Sequence, residues 1–509
     1  MAAFLDHDRL LVQLVDYVYE VDVTGDADAL RVARLSFLDA LGCASESLAR
    51  SEDCRNLIGP YVPGTSVPNG FRLPGTSLEL DPVKGAFDFG MLIRYLDHND
   101  GFTGLEWGHP SDNLGAICAI ADFVSQEARN KRVEGPTILT ILSSLIKAYE
   151  IQGHLQLANS LNKQGLDHVF FEKLASCAVI CVPELLGLTK AQTLSALSHC
   201  VLDNAPLRAY RHAPNTIPRK GWAGGDAVSR AVQLAFMARR GQPGAPTALS
   251  ADRWGFEATM LRKSQTPTEV TDRQTQRLRL GGPLSKHLST SIVRNTFYKL
   301  MPCEAHSLTA VEACVLIRKE LNVQGIPWDA HSVKRVHVRT HAGAILIISK
   351  PAGLPLSNPA DRDHCLEYMM AVALLKGAAL EYGDFSDNAS WVHDEAVDTL
   401  RKKILVTESE DFSKDYHDPQ KRSLASGVTI EFLDGPSIHE IVIEHPLGSP
   451  RHPNTENAVK AKYRQNLALT YSKCTVESIF DALETNVHMP ASEIFDMLWK
   501  GNGRVIGKT

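Results

Sequence analysis

The stretch HVFFEKLASCAVICVPELLGL, residues 168–188, is apolar on nearly every side. That is the pattern of a helix without a solvent face, buried in the middle of a helical body. Gly187 is expected to end it. Upstream, Leu30, Val32, Ala33, Leu35, Phe37, Leu38 and Leu41 recur at helical spacing, and residues 138–151 form an apolar run with polar interruptions at similar intervals. The chain therefore reads as mainly helical from about residue 8 to residue 280. Between residues 59 and 82, prolines 60, 63, 68, 74 and 82 alternate with glycines, which predicts a stiff, ordered loop. After residue 283 the pattern changes. VKRVHVRT, residues 333–340, alternates in part and is rich in valine, as a strand requires. VTIEFLDGPSIHEIVIEHPLG, residues 428–448, gives two strand-like runs around Asp434-Gly435, a hairpin signal. A helix is expected near residues 363–378, and the final sixty residues return to helical spacing. The expected architecture is a mainly α-helical large domain, residues 1–283 and 448–509, interrupted by a smaller α+β domain, residues 284–447.

Composition narrows the function classes. A chain of 509 residues exceeds what one core usually holds. With 44% apolar and 22% charged residues it is neither disordered nor fibrous. The net charge is -6 and no long cationic block occurs, so a nucleic-acid surface has no support. No run reaches about 18 apolar residues, and no membrane span is expected. Ten scattered cysteines fit reduced thiols, with Cys177 and Cys181 on one core face rather than at a zinc site. The first twenty residues lack the Arg/Ser-rich, acid-poor character of a transit peptide, and the terminal Gly-Lys-Thr is not a peroxisomal address. The cytoplasm is the expected compartment, with the mitochondrial matrix as the alternative.

Two constellations carry candidate chemistry. In YLDHNDGFTGLEWGHPSDN, residues 95–113, Asp97, His98, Asp100, Glu106, His109, Ser111 and Asp112 crowd a glycine-broken loop. A solvated turn is one reading. The other is a site, favoured because Tyr95 and Trp107 would anchor the loop and because a helix should begin just after His109. A helix N-terminus lowers a histidine's pKa and suits a neutral base beside a carboxylate substrate. In PLRAYRHAPNTIPRKGWAGGDAVSRAV, residues 206–232, Arg208, Arg211, His212, Arg219 and Lys220 place five potential cations close together. They read either as a salt-bridged surface loop or as a polyanion pocket whose guanidinium forks hold carboxylates. The following Gly-Trp-Ala-Gly-Gly-Asp is expected to open a helix and offer N–H groups to an anion. Asn159, Asn162, Asp167 and His168 precede the buried helix, and Lys299 and His306 stand near a later helix start. No nucleophile elbow, Rossmann fingerprint or Walker loop is present.

The strings LDALGC, VPNGFRLPGT, EWGHPSDNLG, LDHVFFEKLAS, YRHAPNT with RKGWAGGDAVSRAV, NPADRDHC and DYHDP strongly resemble the MmgE/PrpD family, in order, from about residue 10 to the last helices. The resemblance implies a homodimer with its site between a helical and an α+β domain, and chemistry without a cofactor or metal. It implies loss of water from a β-hydroxy tricarboxylate, first of all dehydration of 2-methylcitrate in propionate catabolism. Longer 2-alkylcitrates are the alternative, because Gly101 stands where the family's dehydratases commonly carry threonine. Decarboxylation of cis-aconitate ranks third, and a catalytically silent carboxylate-binding relative is the non-enzyme reading. Carried over by position, the resemblance makes Asp97 and His109 the acid/base loop, His168 a site histidine, Lys220 an anion-binding lysine, and Lys299 with His306 the contribution across the domain gap. Arg208, Arg211, His212 and Arg219 would bind substrate, with Asp100 and Gly101 beside it.

Overall fold

The computed structural model describes residues 7–203, 205–212, 214–261, 277–282, 290–350, 352–418, 420–435 and 437–500. The helix read from residues 168–188 spans Val169–Ile180, and every residue in it is buried. It stops short of Gly187. Pro183 has no N–H to continue the ladder and its ring would crowd the carbonyl of Val179, so the chain leaves through a turn. Around it stand Ile138–Ala158, capped by a reciprocal Thr137/Thr140 box, Lys190–Leu202, Leu114–Lys131 and Arg219–Arg239, and Pro82–Arg94 packs in turn on the last two. Three of these helices touch through glycine. A Cβ on Gly225 would lie 2.6 Å from the Phe87 carbonyl oxygen, and one on Gly115 would lie 2.8 Å from the Gly90 Cα. This closeness accounts for the Gly-Trp-Ala-Gly-Gly-Asp run. The helix begins at Arg219, ahead of that run, so these glycines serve helix packing rather than an N-terminal anion site.

The 59–82 loop is ordered and carries only a two-residue ladder, Phe71–Arg72 against Glu79–Leu80. The expected strand is Val333–Thr340. It lies inside a four-stranded sheet, parallel to Ile404–Glu408 on one side and antiparallel to Ser426–Phe432 on the other, with Ile438–Ile443 at the far edge. The last two strands form the hairpin read from Asp434-Gly435, where Gly435 adopts a φ of 114°. The helix expected near residues 363–378 spans Leu366–Lys376.

Apolar side chains collect into two main cores. One runs from Leu10 to Val293 and takes in Tyr463 to Leu498 from the C-terminal helices; the other runs from Phe297 to Ile438. The chain returns to the first core through the helix Thr455–Leu467, laid against Ala27–Arg50 so closely that a Cβ on Gly42 would lie 3.0 Å from the Tyr463 Cα. The domain boundary expected between residues 283 and 284 lies outside the described residues. Among the described residues, no helix is long and apolar enough to cross a membrane.

Candidate active site

The polar residues of the two constellations meet where the cores adjoin, around the carboxylate of Asp97. The helix Pro82–Arg94 ends just before it, and Asp97 turns the chain with a φ of 54°, a left-handed conformation that costs a non-glycine residue roughly 1 kcal/mol or more. Such strain persists only where the surroundings hold it. Here three cations do so: Arg94 Nη1 donates to Oδ1 at 2.6 Å, Lys299 Nζ donates to the same oxygen, and Lys220 Nζ donates to Oδ2 at 3.3 Å. All four side chains are buried. Burial alone would raise the Asp97 pKa, but Arg94, Lys299 and Lys220 outweigh it and hold the carboxyl well below its ordinary range.

The α+β part of the chain reaches the same point. Lys220 also donates to Asp363 Oδ2 at 2.8 Å and lies 3.2 Å from His364 Nδ1. Ligand atoms of Asp97, Asp363 and His364 all fall within 4.8 Å of one another, a grouping that could suit a metal ion. The Lys220 ammonium contacts all three residues and already supplies positive charge there. The turn holding Asp363 is tied down by Arg362, whose guanidinium donates to the carbonyls of Phe385 and Leu356 and to Asp387. Lys299 is presented by a loop whose own carbonyl accepts from Lys462 Nζ at 2.8 Å.

Beside this hub stand two histidines, their ring centroids 5.8 Å apart. His109 Nδ1 lies 2.7 Å from the main-chain carbonyl oxygen of Asp100. A carbonyl only accepts, so Nδ1 carries the proton and Nε2 the lone pair. Burial first, then the charges of Arg94 and Lys299, keep the ring neutral with a pKa well below the usual imidazole value. His109 precedes the short turn Pro110–Asn113 and the helix Leu114–Lys131, the expected position at a helix start. It is held by the backbone of Asp100, not by the Asp97 carboxylate. His168 Nδ1 lies 3.2 Å from both Asp167 Oδ1 and Arg208 Nη1, and burial again pushes its pKa well down.

The remaining sequence candidates separate. Arg211 grips Asp167 at 2.6 and 3.2 Å, so its fork is already taken. Arg208 is buried, 4.0 Å from Glu106 Oε1. Arg219 lies nearer the surface, paired to Asp226 at 3.0 Å and stacked on Trp222, and His212 is only half-buried. These two stand outside the hub because the helix that begins at Arg219 turns Lys220, not Arg219, inward. The Asp100 carboxylate is occupied as well, accepting from the Ser111 N–H and from the Tyr149 hydroxyl, and burial raises its pKa to about 6. It braces the loop. Gly101 opens no cavity: it bridges Phe297 through two backbone hydrogen bonds, and a Cβ there would lie 2.7 Å from the Trp107 ring. His306 makes no hydrogen bond to the hub. It pairs with Glu304 at 2.8 Å, meets the Tyr416 hydroxyl at 3.1 Å and packs on Trp107. Sequence reasoning passed over Arg94, Glu172, Asp363 and His364. For the last two a signal existed in NPADRDHC, a charged burst directly before an apolar helix. Arg94 and Glu172 sit inside helical patterns and gave none.

Five cationic side chains, Arg94, Arg208, Arg211, Lys220 and Lys299, thus surround four carboxylates, Asp97, Glu106, Asp167 and Asp363, beside two neutral histidines. A buried surplus of positive charge with a poised base is the equipment of an acid/base enzyme acting on a polyanion. Residues 12–269 match the MmgE/PrpD N-terminal domain and residues 301–485 the MmgE/PrpD C-terminal domain. The chain belongs to the MmgE/PrpD family. It is 43% identical to a 2-methylcitrate dehydratase-like protein of Aspergillus oryzae over 96% of this chain and 95% of that one. It is 42% identical to 2-methylcitrate dehydratase of Salmonella typhimurium, covering 97% of both chains, and 41% identical to an alkylcitrate dehydratase of a fungal species, over 96% of this chain and 94% of that one.

Proposed function

We propose that this chain is a hydro-lyase that removes water from 2-methylcitrate to give 2-methyl-aconitate in propionate catabolism. We further propose that it works without a cofactor or metal, as a homodimer in the cytoplasm, with residues 1–283 and 448–509 as one domain and 284–447 as the other. The observation that carries the reading is the surplus of buried cations around Asp97 beside a histidine whose lone pair is fixed on Nε2. Removing a proton α to a carboxylate builds enediolate charge, and expelling the hydroxyl requires a proton. Lys220, Lys299 and Arg208 hold substrate carboxylates and take up that charge. His109 Nε2 takes the proton, and His168 serves the departing hydroxyl. Asp97 holds the two lysines in place. His306 acts from behind Trp107, on the loop that carries His109.

A second reading, dehydration of longer 2-alkylcitrates, is favoured by one feature. A small cleft of about 40 Å³ shares Lys220 and Asp363 with the site and is otherwise lined largely by Tyr95, Leu96, Pro302, Pro359, Ala360 and Phe385. Such a wall suits an alkyl tail, each buried methylene of which contributes about 0.8 kcal/mol. Specificity constants for 2-methylcitrate and 2-hexylcitrate separate the two. The first reading expects the methyl substrate to be preferred, and a preference for the hexyl substrate replaces it with the second.

A further inference from the structure

Glu172 lies in the first turn of the helix Val169–Ile180, one turn beyond His168. Its Oε1 stands 3.5 Å from His168 Nε2, yet neither Glu172 oxygen nor that nitrogen has a hydrogen-bond partner, although all three atoms are buried. An unpartnered buried carboxylate is costly, and its cheaper form is the neutral acid. The surroundings agree. Burial, then the negative charges of Asp112 and Asp167, push the Glu172 pKa well up, against the opposing pull of Arg211 and Arg94. From the facing helix, Gly224 leaves the space in which these carboxylates approach: a Cβ there would lie 2.4 Å from Asp112 Oδ2 and 3.2 Å from Glu172 Oε2. A neutral Glu172 has one O–H to give, and His168 Nε2 is an unpartnered nitrogen beside it.

The other His168 nitrogen has two competing neighbours, each at 3.2 Å. Asp167 Oδ1 only accepts and favours a proton on Nδ1; Arg208 Nη1 only donates and favours a lone pair there. An acid at Nε2 settles the competition in favour of Asp167.

We infer that Glu172 is the proton source behind His168, donating to Nε2 so that the imidazole proton resides on Nδ1 and His168 becomes the acid partner of His109. The inference rests on the elimination reading above. In the reaction His109 Nε2 forms a bond to the α-proton, and the C–H electron pair becomes the new double bond. The C–O bond breaks with its electron pair, and the oxygen takes the Nδ1 proton of His168 and leaves as water. The Glu172 proton moves to Nε2, so His168 stays neutral throughout. Glu172 ends as a carboxylate and His109 as an imidazolium, and both reset by exchange with solvent.

Two measurements on the full chain test this. In ¹⁵N-histidine-labelled protein, with His168→Gln supplying the assignment, His168 is expected as the Nδ1–H tautomer; a proton on Nε2 overturns the inference whatever the substrate proves to be. In turnover, Glu172→Gln preserves shape but cannot pass a proton. It is expected to lower kcat about 100-fold with KM within about twofold, and to have no further effect in a His168→Gln background. An undiminished kcat, or full additivity with His168→Gln, overturns it. Failure of the wild type to dehydrate either 2-methylcitrate or 2-hexylcitrate would instead overturn the hydro-lyase reading, and the nitrogen spectrum would still decide the tautomer.

Discussion

Asp97 is the residue on which the site turns, because one strained carboxylate collects Arg94, Lys220 and Lys299. Deleting one member of a buried, hydrogen-bonded charge group costs about 3–5 kcal/mol, since the others are left unpaired. Asp97→Asn is expected to lose that much stability in urea unfolding at neutral pH. It should also change the acid limb. The folded carboxyl titrates well below its unfolded value of about 3.9. In that window the unfolded chain binds the extra proton, so stability rises with pH and is lost as pH falls below about 4. The wild type is therefore expected to lose stability more steeply than Asp97→Asn below about pH 4, and parallel curves would contradict the charge assignment. That Asp97 belongs to a polar cluster was legible in its loop, where acids and histidines crowd between glycines. The partners of Arg211 and Asp100 were not. Asp167 lies 44 residues from Arg211 and Tyr149 lies 49 residues from Asp100, and spacing along a chain does not report such pairings.

At the scale of elements, helix contact rather than loop chemistry explains the glycine-rich run after Lys220. Gly225 lies against the backbone of Pro82–Arg94, with a would-be Cβ 2.6 Å from the Phe87 carbonyl oxygen and 2.8 Å from the Met91 nitrogen. Backbone atoms cannot step aside as a side-chain tip can. Gly225→Ala is thus expected to destabilise by about 1–3 kcal/mol, although alanine gains roughly 1 kcal/mol in helix propensity. A thermal midpoint at or above that of the wild type would show that the helices can separate at no cost. The strand Val333–Thr340, the hairpin and the helix in the 363–378 region could be read because period and turn chemistry are local. The buried helix ends early, at Ile180, because Pro183 breaks the ladder before Gly187, and the apolar run that continues past it hides that stop. The parallel pairing of Ile404–Glu408 with Val333–Thr340 joins strands more than sixty residues apart and left no local mark.

For the whole molecule, the arrangement joins two cores through charge. Asp363 and His364 come from one side of the junction and Asp97 from the other, with Lys220 between them. A tricarboxylate bound there engages both sides and favours the folded form of each. At a ligand concentration 100 times Kd, binding is expected to raise unfolding free energy by about 2.7 kcal/mol. A single upshifted thermal transition would show that both cores are engaged, and two transitions of which only one is upshifted would show that the ligand engages one side alone. The net charge of -6 gave no hint of this positive interior, because acidic residues elsewhere outnumber the buried cations.

Whether His109 is the base of a tricarboxylate dehydratase is decided by one comparison. Ultraviolet absorbance of the conjugated alkene is followed after mixing racemic 2-methylcitrate, in parallel with 2-hexylcitrate, with the wild type and with His109→Ala. The expected result is steady accumulation of an unsaturated tricarboxylate by the wild type, and a rate at saturating substrate at least about 100-fold lower for His109→Ala. An equal rate for the variant would exclude His109 as the base, and no alkene from either substrate with the wild type would exclude the dehydration.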